Sequence, residues 1–159
     1  MVEGKGIGKD LLDSLAAVGG PEVSIRRPGG RLTLRMSDTD RLGVLVTSIE
    51  IDHVAGRLPA RALHHRLEQM AERVVYLPER LVLVEHDPVR TGALMRSASP
   101  RWSGPDRAYF ELRVERNREA SFRRFRQPPG SEEREAVPFL LDRTTLARLA
   151  DDLMSALIA

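Results

Sequence analysis

The sequence predicts an α+β domain built on a single twisted, mainly antiparallel sheet of about six strands. Two longer helices are expected to pack on this sheet, and a short helix lies near the N-terminus. Two observations predict this fold: strand-like segments follow one another across short turns, and two helical segments each carry one apolar stripe. Consecutive strands that are joined by short turns favour antiparallel pairing.

The chain begins with a segment that is expected to be loose. Residues 1–9 mix glycine with both charge signs, which predicts a flexible N-terminal tail and a single domain over residues 10–159. Asp10–Val18 then has leucines at helical spacing, and Gly19 and Gly20 end the helix. A helix this short is marginal unless it packs on something, so we expect it to dock across a subunit boundary.

A hairpin and the first long helix follow. Arg31–Met36 alternates polar residues with apolar ones, as a half-buried strand does, and Leu42–Asp52 continues the pattern. Pro59 is suited to the first turn of a helix, and Pro78 ends the helical segment. Apolar residues recur every three or four positions between the two prolines: Leu63, Leu67, Met70 and Val74.

The second half of the chain contains further strands and the last helix. Leu81–Val84 is apolar on both faces, which predicts a central strand that is covered on both sides. The other segments expected to be regular are a short partner strand, a hairpin, a short last strand and a final helix: residues 92–98, 107–126, 137–141 and 143–158. Asp142 precedes the final helix and can accept hydrogen bonds from its first amides.

Composition excludes several classes of protein. A chain of 159 residues fits one domain, and its 42% hydrophobic and 30% charged residues are typical of a globular protein. No apolar run approaches the roughly 20 residues that a membrane-spanning helix needs. There is no cysteine, which excludes disulfides and thiolate chemistry, and we expect a cytoplasmic location. The net charge is only +2, although the cations are 23 arginines and two lysines.

The hairpin at 107–126 is the most informative segment for binding. It carries seven arginines and three glutamates around a polar tip, with aromatic residues between them. A two-residue turn at Asn117–Arg118 would place Phe110 opposite Phe125 and Glu111 opposite Arg124. The predicted binding surface consists of one aromatic and five basic residues: Tyr109, Arg113, Arg116, Arg118, Arg124 and Arg126. Arginines along an edge strand are also a common guard against aggregation.

Residue patterns for catalysis are weak. The four histidines show no metal-ligand spacing, no serine lies in a nucleophile motif, and the glycines near the N-terminus lack phosphate-loop spacing. We therefore assign no catalytic residue, metal or cofactor. One alternative stays open, because Glu85, His86 and Asp87 end a strand and could form an enzyme site with His53 or Asp52.

These observations favour a non-catalytic bacterial cytoplasmic domain that binds another protein, with a homodimer as one form. Small size, α+β content and amphipathic helices loosely resemble the folds of dimeric secretion chaperones, which implies a chaperone-like role. The strand order and the pI of about 9.5 depart from that pattern. A nucleic-acid-binding protein that uses the hairpin at 107–126 is the first alternative, and a small enzyme is the second.

Overall fold

One antiparallel sheet runs through the computed structural model, which describes residues 6–17, 20–52, 59–87, 92–115 and 118–158. Within these ranges, five side chains are not described: Ala17, Glu85, His86, Asp87 and Ser103. The three helices of the described chain are α1 (Ile7–Ala17), α2 (Ala60–Arg73) and α3 (Arg143–Leu157). The predicted α+β class and antiparallel sheet are therefore confirmed.

Ten strands make up the described sheet, so the prediction of about six strands is wrong. Their bounds are β1 Glu22–Arg27, β2 Gly30–Thr39, β3 Gly43–Asp52, β4 Leu81–Asp87, β5 Gly92–Ser97, β6 Arg101–Ser103, β7 Asp106–Glu115, β8 Glu119–Gln127, β9 Glu135–Val137 and β10 Phe139–Asp142. The N-terminal helix, predicted over Asp10–Val18, also differs from the prediction in its bounds. The helix α1 is eleven residues long, and it begins at Ile7.

The missed strands have physical reasons. The sequence prediction assigns no element to residues 22–27, but Val23 and Ile25 alternate with polar residues there, and Gly29 turns the chain back with φ 91°. Three-residue strands such as β6 carry too few side chains to show an alternating pattern. Pro138 has no amide hydrogen to donate to a strand ladder, so the last predicted strand is divided into β9 and β10.

The order of the principal strands is β1-β2-β3-β8-β7-β5-β4. The strands β3 and β8 pair only over Ile49–Asp52 and Glu119–Phe122. Beyond that point β10 pairs with the first half of β3, and β9 pairs with the second half of β8. The two short strands therefore continue the sheet where the longer strands separate.

The helices pack on one face of the sheet and on each other. Leu67 of α2 and Leu149 of α3 are fully buried, as the apolar stripes predicted. An aromatic cluster of Phe110, Phe122 and Phe139 lies in the core, with ring centroids 5.2–5.8 Å apart. Asp142 accepts a hydrogen bond from the Thr145 amide at 2.7 Å, so the predicted N-cap of α3 is present. Burial of this apolar surface is the main source of stability.

The apolar face of α1 is used within the chain. Its buried residues Leu11 and Leu15 belong to the same core as α3, and Asp10 forms an ion pair with Arg27 of β1. The Gly8 amide donates a hydrogen bond to Asp151 of α3 at 2.9 Å. A helix that is held in this way has little apolar surface left for a second subunit. We therefore do not propose that α1 docks across a subunit boundary.

Candidate binding surfaces

The face of the sheet opposite the helices, called the outer face below, carries acidic and basic side chains in alternation. Glu22 of β1 contacts Arg35 of β2 at 2.7 Å, and Arg35 contacts Glu50 of β3 at 3.4 Å. Glu50 in turn contacts Arg123 of β8 at 3.4 Å. Most arginines of this row are therefore neutralised by carboxylates of neighbouring strands, although each exposed pair contributes less than about 1 kcal/mol.

The hairpin of β7 and β8 pairs one residue away from the predicted register. Three residues, 116–118, separate the two strands, whereas the prediction allowed two; the predicted turn residue Asn117 lies outside the described residues. As a result Tyr109 faces Phe125, and Arg123 faces Glu111. A shift of one residue moves every side chain of a strand to the other face. It removes the unfavourable placement of Arg123 in the core that the predicted register required.

The six residues of the predicted binding surface do not share one face. They are Tyr109, Arg113, Arg116, Arg118, Arg124 and Arg126. Tyr109 is buried, whereas Arg113 of the same strand is exposed on the outer face. Arg124 lies on the opposite face, because it pairs with the core residue Phe110. Arg116 lies outside the described residues.

The two other arginines of that set have acidic neighbours. Arg126 forms an ion pair with Asp106 at 2.6 Å, and its Cα partner Ala108 lies on the helix-facing side. Arg118 at the hairpin tip is mostly exposed and lies 4.0 Å from Glu115. The structure thus brings Tyr109 and Arg113 onto one face and separates them from Arg124 and Arg126.

A buried carboxylate, Glu111, organises the outer face near Tyr109. Its side chain is only 3% exposed, and Arg96 contacts it at 3.0 Å. Arg134 adds two hydrogen bonds to the same carboxylate, one of them at 2.9 Å. Arg134 also stacks on the Phe125 ring at 3.7 Å and donates to the Tyr109 hydroxyl at 3.2 Å. The segment 128–134, called the strap below, is thereby held across the outer face.

The ion pairs set the charge state of this cluster. Burial alone would raise the pKa of Glu111, but hydrogen bonds from Arg134 and Arg96 outweigh it and lower the pKa below its ordinary value. Hydrogen bonding to Glu111 also raises the pKa of Arg134. The cluster is therefore fully charged at neutral pH. Sequence reasoning missed it, because Arg134 lies in a segment that resembles an ordinary polar loop.

A second buried carboxylate, Glu79, lies at the other side of the sheet. It accepts a hydrogen bond from Arg124 at 2.9 Å and another from the Ser97 hydroxyl at 3.1 Å. Ser97 in turn accepts the Phe110 amide at 2.8 Å. Arg101 is 3.5 Å from the other carboxylate oxygen. Glu79 and Ser97 are both buried, and their hydrogen bonds tie the segment before β4 to β5, β7 and β8, although the second carboxylate oxygen of Glu79 accepts no hydrogen bond from the described residues.

The two edges of the sheet differ in chemistry. The edge strand β1 presents Glu22, Ser24 and Arg26 on the outer face, and prolines flank it on both sides. The edge strand β4 instead presents Val82 and Val84, which are 43% and 53% exposed. A bulge between Leu83 and Glu85 brings Val84 to the surface. Charges, prolines and bulges are the usual guards of an edge strand. In β4 the bulge, Glu85 and Asp87 lie towards the end of the strand and Pro88 follows it, whereas the segment Leu81–Val84 contains neither a charge nor a proline.

An exposed tryptophan lies beside the arginine-rich hairpin. Trp102 of β6 is 71% exposed, and its Cα partner is Arg107 of β7. Arg107 also lies 5.8 Å from the Tyr109 ring centroid. In the sequence, Trp102 lies between Pro100 and Pro105, which predicts a linker. The pairing of β6 instead places it on the hairpin as a flat apolar surface next to a cation.

The histidines and the carboxylates beside them are the candidates for the predicted enzyme site and for a metal site. The side chains of Glu85, His86 and Asp87 are not described, and His53 lies outside the described residues. His64 is on α2, where it contacts Glu68 at 3.0 Å. Within the described residues, no group of three or more histidine or carboxylate side chains is placed to hold a metal ion. The enzyme alternative thus stays an untested prediction.

Comparison with protein-family models, with curated proteins and with solved structures gave no match. The three described helices include none with both the length and the apolar character needed to span a membrane. Any function therefore has to be argued from the surfaces themselves.

Proposed function

We propose that this chain is a non-catalytic, bacterial cytoplasmic protein-binding module, and that its binding surface is the free edge of β4. The observation that carries the proposal is the exposure of Val82 and Val84 in the segment Leu81–Val84 of the edge strand β4, which contains neither a charge nor a proline. An edge strand offers unpaired backbone donors and acceptors to another strand, and exposed valines add apolar contact. The absence of cysteine supports the cytoplasmic location.

We propose further that the first partner is a second copy of the chain. Two β4 strands can pair antiparallel about a twofold axis, which uses both β4 edges and leaves the charged β1 edges free. Pairing of β4 with β1 of another copy would instead continue indefinitely, but Glu22 and Arg26 oppose it by presenting charges to the valines. The result is a closed dimer.

The double substitution V82K/V84K is expected to prevent this association, because the lysines of one β4 strand would lie close to those of the other across the interface. Light scattering at protein concentrations between about 1 and 300 µM covers the range in which a weak dimer interface dissociates. The wild-type mass should rise with concentration from 17.8 kDa towards twice that value. The variant should keep the monomer mass throughout.

Leu140→Lys provides the matched control. Leu140 is 72% exposed on β10, so the change removes a similar exposed apolar side chain away from the β4 edge. We expect L140K to associate as the wild type does. A wild-type mass of 17.8 kDa at every concentration would contradict the dimer, and equal effects of L140K and V82K/V84K would contradict the assignment of the edge.

Nucleic-acid binding is the second candidate function, and one observation favours it: Trp102 is exposed beside Arg107 and can stack on an unpaired base. Because Trp102 is the only tryptophan, its fluorescence reports on this site alone. We predict quenching by a mixed single-stranded oligonucleotide at low salt, with affinity that falls as salt is raised. Arg107→Gln should weaken the quenching, whereas Arg26→Gln on β1 should leave it unchanged. Unchanged fluorescence at low salt would remove this candidate.

A further inference from the structure

A concave site lies at the turn between β1 and β2, remote from the β4 edge. Its volume is about 360 Å³, and its lining consists of three arginines and two glycines: Arg26, Arg27, Gly29, Gly30 and Arg31. This volume is near the lower limit for small-molecule sites, which run from about 300 to 1,000 Å³. Among the described residues that line it, all except the glycines are arginines.

Two of the three arginines are held by carboxylates at the rim. Arg27 pairs with Asp10 of α1 and donates to the Arg26 carbonyl oxygen at 3.2 Å. Arg31 contacts Asp52 of β3 through two nitrogens, at 2.7 and 3.1 Å. Arg26 is exposed and makes no ion pair with any residue in the described ranges. Arg26 and Arg31 are Cα partners and share the outer face, whereas Arg27, the next residue of β1, is directed to the other face, where it meets α1. Among the described residues, the two arginines of the outer face and Asp52 therefore leave this side of the turn with a net charge of +1.

We propose that this site binds the phosphate group of a small phosphorylated molecule. Guanidinium groups present parallel donors that match the oxygens of phosphate, and the cross-strand partners Arg26 and Arg31 place two of them on the same face of the turn. An ion pair that is as exposed as Arg31–Asp52 contributes less than about 1 kcal/mol. A dianion can therefore take over these donors at little cost.

The backbone of the turn adds to the fit. Gly29 has φ 91°, a conformation that side chains disfavour, and neither glycine places a Cβ between the ligand and the turn. A Cβ at Gly30 would in addition collide with Ile158 at the end of α3. The turn thus needs glycines for folding, and the same glycines leave its backbone open to an anion, as in other anion sites formed by backbone.

The test is a titration of the full chain with sodium pyrophosphate and, separately, with inorganic phosphate, at constant ionic strength set by sodium chloride. Both probes should raise the thermal midpoint, because a ligand that binds only the folded state stabilises it. In amide NMR spectra the largest shifts should fall on residues 26–31. Arg26→Gln should weaken binding about tenfold, since it removes one charge-assisted hydrogen bond without breaking an ion pair.

Arg113→Gln is the matched control, because Arg113 is an exposed arginine of the outer face without an ion pair to the described residues. It should bind both probes as the wild type does. Equal binding by Arg26→Gln and the wild type would overturn the proposal, as would NMR shifts that fall away from residues 26–31 or no response to either probe. Because the β4 edge takes no part, V82K/V84K should bind pyrophosphate normally, and this separates the two proposals.

Discussion

Substitution of Glu111 by glutamine is expected to lower the free energy of unfolding by about 3 kcal/mol. Glutamine keeps the shape of the side chain but removes the charge that Arg96 and Arg134 share. Removing one partner of a buried ion pair typically costs about 3–5 kcal/mol, and the lower end applies because both guanidinium groups reach solvent. Urea denaturation of E111Q and wild type measures the difference directly.

Glu50→Gln provides the control for this substitution. Glu50 also contacts two arginines, Arg35 and Arg123, but both distances are 3.4 Å and the carboxylate is partly exposed. We expect a loss of less than about 1 kcal/mol, as for other exposed pairs. Similar losses in E111Q and E50Q would show that burial of Glu111 does not matter. Hydrogen exchange should also show faster exchange of the strap in E111Q alone.

The effect of E111Q should depend on pH. The hydrogen bonds from Arg134 and Arg96 outweigh burial and hold the pKa of Glu111 below its ordinary value of 4.5. A group whose pKa is lower in the folded state stabilises the fold above its unfolded pKa, and this stabilisation is lost as the pH falls through the folded pKa. The difference between wild type and E111Q should therefore be constant near neutrality and shrink below about pH 4.5. A difference that grows on acidification would contradict this account.

Local patterns predicted the helices better than the sheet. The stripes that include Leu67 and Leu149 are periodic over several turns, so they identify buried helix faces without any knowledge of the partner. The alternation within β7 and β8 identified two strands of a hairpin as well. It could not set their register, because the length of the turn decides whether Arg123 faces Leu112 or Glu111. The error in turn length then moved Phe125 to the wrong face.

The two buried carboxylates could not have been identified from local sequence. Glu79 and Arg124 are 45 residues apart in the sequence, and Glu111 and Arg134 are 23 residues apart. Nothing near Glu79 in the sequence distinguishes it from a glutamate in solvent, since it lies in the short connection between α2 and β4. Such pairs depend on strand order, which in turn depends on where β9 and β10 fill the sheet. The apolar run Leu81–Val84 does stand out in the sequence, but it predicts a central strand that is covered on both sides, whereas β4 lies at the edge of the sheet.

Replacement of Gly8 by alanine tests the contact between α1 and α3. Alanine is the better helix former by about 1 kcal/mol, so propensity alone predicts a more stable protein. The structure predicts the opposite sign. A Cβ at Gly8 would lie 2.7 Å from the Cα and carbonyl carbon of Ala147 and collide with its carbonyl oxygen. The backbone of α3 cannot relieve the collision by rotation about a single bond, as a side chain could.

Relief of this collision requires α1 to move away from α3, which opens the core around Leu11 and Leu15 and weakens the bond between the Gly8 amide and Asp151. We expect G8A to lose about 2 kcal/mol in urea denaturation, within the usual cost of overpacking. Ala16→Gly on the exposed side of α1 measures propensity without the collision, and it should lose no more than about 1 kcal/mol. If G8A were more stable than the wild type, helix propensity would outweigh the collision with Ala147. That result would contradict the close packing of α1 on α3.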